Sequence, residues 1–394
     1  MSGAATAGVD VPAPLQHGFR LLFPLAALWA AGSLGLWLAT LFGAGAIPSY
    51  LPPLVWHGHA MVYGFGLAIV AGFLLTAVPN WTGRSALRGL PLAGFVGLWL
   101  LGRAAMTGGS ELPPVVVAAL DLAFGLALLA WTARVVLASG NWRNLPVIGA
   151  LAVLVAGNLL VHLQPVAQLA TAGAGNRLGI AAIALLATLI GGRIVPAFTR
   201  NWLRQSGRGA PFPAEQDDLD RLGLVVAVAA LIAWVGLAAH PLTGVLAGCA
   251  AALTAVRLAR WRGWCTRAEP LLWVLHLGYA WLPVAFALIT VSAAGWVPAT
   301  AALHALTAGL MGTLMLAMMT RVPRGHTGRP LRADAVTTGL YLLVLAAGVV
   351  RVGAGLTADP APGMLAASAG AWMAAFAGYT VAYAPMLLAR QPSG

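Results

Sequence analysis

Two histidines in this sequence stand at one fixed distance from the same tripeptide. His59 lies 23 residues before Thr82-Gly83-Arg84, and His304 lies 23 residues before Thr327-Gly328-Arg329. Each interval is an almost uncharged apolar run. Neutral imidazole is the commonest metal ligand, and imidazoles from two helices can hold one haem iron from opposite sides. Ionisable groups inside a membrane are rare and tend to face the interior of a bundle. The expectation is that His59 and His304 ligate one haem or metal; a pair of interhelical hydrogen-bonding histidines is the alternative.

Other residues gather around that expectation. Arg103 and Arg351 are expected in the same half of the membrane as the two histidines, with Arg177 near them. A guanidinium pairs well with a carboxylate such as a haem propionate; snorkelling to lipid headgroups is the competing role. His57 completes Trp56-His57-Gly58-His59. Residues i and i+2 of a helix point about 200° apart, so His57 and His59 cannot both address one small ion while fully helical: either they serve two sites, or His57 sits just before the first turn. Met61 shares a face with His57, and thioether plus imidazole suits copper(I), although methionine is usually filler. His162 belongs to the same end; His276 belongs to the other. Each is a candidate second metal ligand or a satisfied buried histidine. His17, His240 and His326 read as interface residues. Asp121 and Glu269 are read as lying near helix ends, and no chain of buried carboxylates suggests a proton pump.

The elements that must position these groups follow from composition. The chain has 394 residues, 60% hydrophobic and 8% charged, with mean hydropathy +0.87. Soluble proteins carry about 25% charged residues. The reading is a polytopic, all-α membrane protein with one integral-membrane domain, residues 1–394. Twelve apolar segments are long enough to span: 19–43, 57–79, 90–107, 115–138, 144–164, 176–198, 219–239, 243–260, 269–291, 297–320, 333–354 and 363–389. All 22 basic residues are arginine. Nineteen, from Arg20 through the 193–221 loop to Arg390, fall at one set of loop ends, and only Arg103, Arg177 and Arg351 at the other. The positive-inside rule then puts both termini in the cytoplasm. The net charge of +12 is a topology signal rather than a nucleic-acid signal, because the arginines are dispersed. No signal peptide is expected, and Cys249 and Cys265 suggest neither a disulfide framework nor a metal cluster.

The tripeptides belong to longer repeats. Val78-Pro79-Asn80-Trp81-Thr82-Gly83-Arg84 and Val322-Pro323 through Arg329 have a looser third copy, Val195-Pro196-Ala197-Phe198-Thr199-Arg200-Asn201-Trp202. They fall on the second, tenth and sixth segments, four segments apart. Three four-helix pseudo-repeats are expected, about 19–138, 144–260 and 269–389. The offset argues against a transporter built of two six-helix halves.

Trp56-His57-Gly58-His59, Ala71 through Arg84, Leu275-His276-Leu277-Gly278-Tyr279-Ala280-Trp281 and Met318 through Arg329 closely resemble the NnrS family over nearly the whole chain. That family often has Glu after the second histidine; here Ala60 stands there. The resemblance implies a bacterial inner-membrane protein of twelve helices containing haem b and copper, linked to nitric oxide and nitrosative stress. The layout also resembles the haem–copper oxidase catalytic subunit, in architecture only. On this basis the expected function is nitric oxide metabolism, as an oxidoreductase drawing electrons from quinol. A non-enzymatic sensor or scavenger, and a transporter or metal permease without a redox centre, are the alternatives.

Overall fold

The computed structural model describes residues 11–207 and 211–389. Arg208 and Arg390, counted above in the topology argument, lie outside the described residues. Twelve helices are long and apolar enough to cross a membrane: α1 (Gly18–Leu41), α2 (Pro53–Thr82), α3 (Leu90–Gly108), α4 (Pro114–Ala138), α5 (Trp142–Ala167), α6 (Ala172–Gln205), α7 (Asp218–Gly236), α8 (Pro241–Arg260), α9 (Pro270–Ala293), α10 (Ala299–His326), α11 (Ala335–Gly355) and α12 (Pro362–Leu388). Among the described residues there is no strand. This is an all-helical membrane protein, and an apolar surface of this extent belongs in a lipid bilayer.

The helices are punctuated by proline and glycine. Proline opens the first turn of α2, α3, α4, α8, α9 and α12, where its missing N–H costs nothing. The two Thr-Gly-Arg tripeptides end α2 and α10 in the same way. Gly83 and Gly328 adopt φ of 66° and 68°, the left-handed conformation that stops a helix. The preceding threonines each bond back to a carbonyl of the last turn, Thr82 to Val78 and Thr327 to Pro323, both at 2.8 Å. The third copy lacks that glycine, so α6 runs on to Gln205. All three Val-Pro pairs lie inside their helices rather than after them.

Burial separates the helices into two populations. The most apolar stretches of α2, α6 and α10 are 78%, 67% and 67% buried, against 33–50% for the other nine. These three pack on one another at the centre, and the remaining helices surround them, with α12 returning to α1. Arg20 fastens that closure: fully buried, it donates to the carbonyls of Leu387 and Ala389 at 2.9 and 2.8 Å.

Each central helix carries a π-helical stretch: Ala60–Gly66 in α2, Ala187–Gly191 in α6 and Ala305–Met311 in α10. Such stretches widen the helix and free carbonyls from the regular ladder. In α2, the indole N–H groups of Trp29 and Trp99 satisfy Ala60 and Gly64, each at 2.9 Å. In α6, Arg257 reaches the Thr188 carbonyl at 3.4 Å and Gln216 that of Gly192 at 2.9 Å. Beside these stretches, where the three helices meet, lies a partly open, wholly apolar cavity of about 100 Å³, lined by Ile69, Phe73, Ile183, Leu310, Met311 and Met315 among others.

Candidate metal and cofactor centre

His59 and His304 occupy the same place in their helices. Each is the last α-helical residue before the π-helical stretch, in a helix entered through a proline, Pro52 or Pro298. Five residues further on, each has a glycine in close contact with other side chains. A Cβ on Gly64 would strike the Trp29 indole and the Arg103 guanidinium, and one on Gly309 would strike the Trp281 ring. The local chain is thus shaped alike in α2 and α10, and what differs is what faces each imidazole.

His59 faces a buried carboxylate. Its Nε2 lies 2.9 Å from Oδ2 of Asp121 on α4 and 2.9 Å from Oδ1 of Asn158 on α5. His162, one turn beyond Asn158, brings its own Nε2 to 3.0 Å from the same Oδ2. Asn158 Nδ2 donates to that oxygen at 2.8 Å. The other carboxylate oxygen, Oδ1, is paired with Arg103 of α3. Tyr50, in the loop before α2, contacts Nδ1 of His162 through its hydroxyl. Burial is the first influence on that phenol and the neighbouring Asp121 charge the second; both raise its pKa above the ordinary value. Arg103 also lies 5.5 Å over the Trp29 ring. His59, Asp121, Asn158, His162 and Arg103 are all buried.

Tight packing makes this cluster geometrically possible. Gly157, beside Asn158, and Gly175 and Gly179 of α6 leave no room for a Cβ. Tyr63 of α2 fills the junction, donating to the Gly175 carbonyl at 2.6 Å. Gly102, beside Arg103, packs directly on the backbone of Asp121. Small residues that let helix backbones approach are the usual means of membrane helix packing.

His304 has different company. Its Nδ1 bonds to the Thr300 carbonyl in its own helix at 2.8 Å. His57 and Arg351 lie within electrostatic reach of it, and Arg351 within reach of His57. The His57 ring stacks on Trp37 of α1, centroids 4.9 Å apart and planes 15° from parallel. His57 Nδ1 and Arg351 Nη1 are buried without a hydrogen-bond partner. No carboxylate among the described residues pairs with Arg351. His57 and His59 therefore face opposite ways along one helix, as the i, i+2 spacing requires.

The remaining sequence candidates lie apart. Arg177 donates to the Val235 carbonyl at 3.4 Å. His276, toward the arginine-rich end, meets the Thr199 hydroxyl at 2.9 Å, and Gly263 is pressed against its ring. Near it, Arg257 is held by Asp220 at 2.7 Å and by the Tyr279 hydroxyl at 3.1 Å. Cys249 and Cys265 take no part in any of these clusters and are free thiols.

Sequence reading placed Asp121 at a helix end and gave it no role. It is the hub of the His59 cluster. The signal was present: Asp121 is a lone acid, seven residues into an otherwise apolar segment. Asn158 and Tyr50 carried no comparable signal, since neither is charged.

Twelve spanning helices, three of them π-distorted and central, with two groups of histidines toward one end, define an all-helical membrane protein. The chain belongs to the NnrS family: the family description "NnrS protein" matches residues 13–391. No curated protein is similar enough to the chain to count as a match.

Proposed function

We propose that this protein is a haem- and copper-containing component of the bacterial inner membrane, with both termini cytoplasmic, that acts on nitric oxide in nitrosative-stress defence. Family membership supports the nitric oxide connection, since NnrS membership fits a nitric oxide-related membrane protein. The His57–His304–Arg351 pocket carries the haem assignment. An imidazole whose Nδ1–H is tied to a backbone carbonyl presents its Nε2 lone pair for metal, the usual outer-shell arrangement. His304 has that arrangement through Thr300. A guanidinium without a carboxylate is suited to an anionic propionate, and half-buried Arg351, whose Nη1 is buried and unpaired, supplies it.

Sequence spacing suggested that His59 would hold the haem together with His304. The proposal passes that position to His57, because His57 lies within electrostatic reach of His304, whereas His59 faces Asp121 and Asn158 on α4 and α5. Haem b, held by both imidazoles, would supply one-electron chemistry; binding of a diatomic ligand would require one imidazole to leave or a second centre. The chain's own residues orient the imidazoles: Thr300 fixes the His304 ring, and Trp37 the plane of His57. Arg103 is committed to Asp121 and Arg177 is turned to the Val235 carbonyl, so Arg351 is the guanidinium left for a propionate. The apolar cavity suits a small neutral gas better than an ion. Ile69, on its wall, is ten residues beyond His59, roughly 15 Å along the helix axis.

The test is spectroscopic. Purified wild type should show a Soret band and reduced-minus-oxidised bands of a b haem, and His304→Ala should lose or shift them. Unaltered haem in His304→Ala would remove the assignment. Consumption of nitric oxide with a reduced quinol analogue distinguishes an enzyme from a sensor or scavenger.

A further inference from the structure

We propose that His59 Nε2, His162 Nε2 and Asp121 Oδ2 form a mononuclear site for a divalent first-row transition metal, copper(II) being the tightest binder. This deepens the copper part of the function proposed above and does not require the haem.

Three observations carry it. The three ligand atoms all lie within 4.8 Å of one another, and each imidazole nitrogen is 2.9–3.0 Å from the carboxylate oxygen. Ligands about 2.1 Å from one ion and at right angles to each other are about 3 Å apart. The spacing therefore matches an edge of a coordination shell. Second, Oδ2 is crowded by three nitrogens, those of His59, His162 and Asn158. Serving all three as a hydrogen-bond acceptor requires both imidazoles to carry their proton on Nε2, which leaves the His59 Nδ1 lone pair buried with no donor. Third, the outer contacts are those that orient metal ligands. Arg103 holds Oδ1 and turns Oδ2 inward, and Tyr50 sits on Nδ1 of His162.

The donor set selects the ion. Two imidazoles and a carboxylate suit copper(II), zinc or non-haem iron rather than calcium or magnesium, and affinity at such a site peaks at copper(II). Asn158 Oδ1, 2.9 Å from His59 Nε2, is placed as a further neutral oxygen donor. Arg103 already balances the Asp121 charge, so the ion's own charge calls for an additional anionic ligand such as hydroxide.

The experiment uses the full chain in detergent, stripped with chelator, loaded with copper(II) and desalted. Wild type should retain one copper per chain at this site, with an axial electron paramagnetic resonance spectrum showing nitrogen hyperfine structure. His162→Gln and Asp121→Asn should lower copper retention at least tenfold. Tyr50→Phe, which leaves every ligand and the Arg103–Asp121 pair in place, should weaken it about tenfold and keeps the test informative if Asp121→Asn does not fold. Equal copper in wild type, His162→Gln and Tyr50→Phe would overturn the site, as would absence of the nitrogen-coupled signal from loaded wild type. His304→Ala should lose its Soret band and keep this copper signal. A protein with haem but no copper signal refutes this site alone, and one with the signal but no haem refutes the haem assignment alone.

Discussion

α2 and α10 start alike and diverge at one residue each. Both are entered through proline, place a histidine just before a π-helical stretch, pack a glycine five residues later and end on a left-handed glycine. Yet His59 meets a carboxylate that is itself paired with arginine, whereas His304 has a second imidazole and an arginine without an acid within electrostatic reach. One backbone design thus yields a charge-balanced pocket and an unbalanced one. A balanced pocket holds itself together; a half-buried cation without an acid, such as Arg351, has room for an anion from elsewhere.

The largest expected effect tests that contrast directly. Asp121→Ala leaves Arg103 buried and unpaired, which costs about 3–5 kcal/mol. Arg351→Met removes a cation that has no carboxylate, and in cofactor-free protein it should change stability by less than about 1 kcal/mol. Thermal unfolding of both variants in detergent checks the pair. If Arg351→Met proves as costly as Asp121→Ala, the distinction between the pockets fails.

A smaller effect compares the packed glycines. Gly64→Ala pushes a methyl into Trp29 and Arg103, and Gly309→Ala pushes one into Trp281. Overpacking of this kind costs about 1–3 kcal/mol. Both should destabilise, but only Gly64→Ala should also disturb the Arg103–Asp121 pair. Loss of copper retention in Gly64→Ala but not Gly309→Ala would sharpen the comparison; equal loss would dissolve it.

The spans were legible because a bilayer demands long apolar runs and the sequence has twelve. Their ends were not, because Val78-Pro79 and Val322-Pro323 resemble loop signals, while a helix near its end tolerates proline if the freed carbonyl finds another donor. The repeat revealed that His59 and His304 matter at one depth. It could not reveal that they face different neighbours, since rotation about a helix axis depends on partners that spacing does not encode. The i, i+2 relation of His57 and His59 did encode opposite faces, and the structure puts them in separate pockets. Asp121 was visible as an isolated acid but was discounted by its nearness to a segment end. Sidedness rests on the arginine distribution alone.

The two terminating glycines offer a still smaller and symmetrical effect. Gly83 and Gly328 have open space around the missing Cβ, so alanine meets no clash and only the left-handed strain remains. That strain is about 1–2 kcal/mol. Gly83→Ala and Gly328→Ala should therefore lower the unfolding temperature by similar amounts. Unequal shifts would show that one tripeptide does more than end a helix.

The smallest effect lies where the ends of α2 and α10 stop matching. The His17 ring lies 5.8 Å from that of His326, at the end of α10, and 5.5 Å from Phe19. Burial lowers its pKa, with His326, Arg20 and Arg88 adding repulsion, to about 4. A histidine whose folded pKa lies below its unfolded value of about 6.5 stays neutral in the fold while the unfolded chain takes up a proton. Its contribution to stability is therefore whole above about pH 6.5 and declines as pH falls toward 4. His17→Gln should flatten that part of the pH–stability curve without moving the Soret band or copper retention. A variant whose curve keeps the wild-type slope between pH 6.5 and 4 would mean that the ring titrates alike in both states.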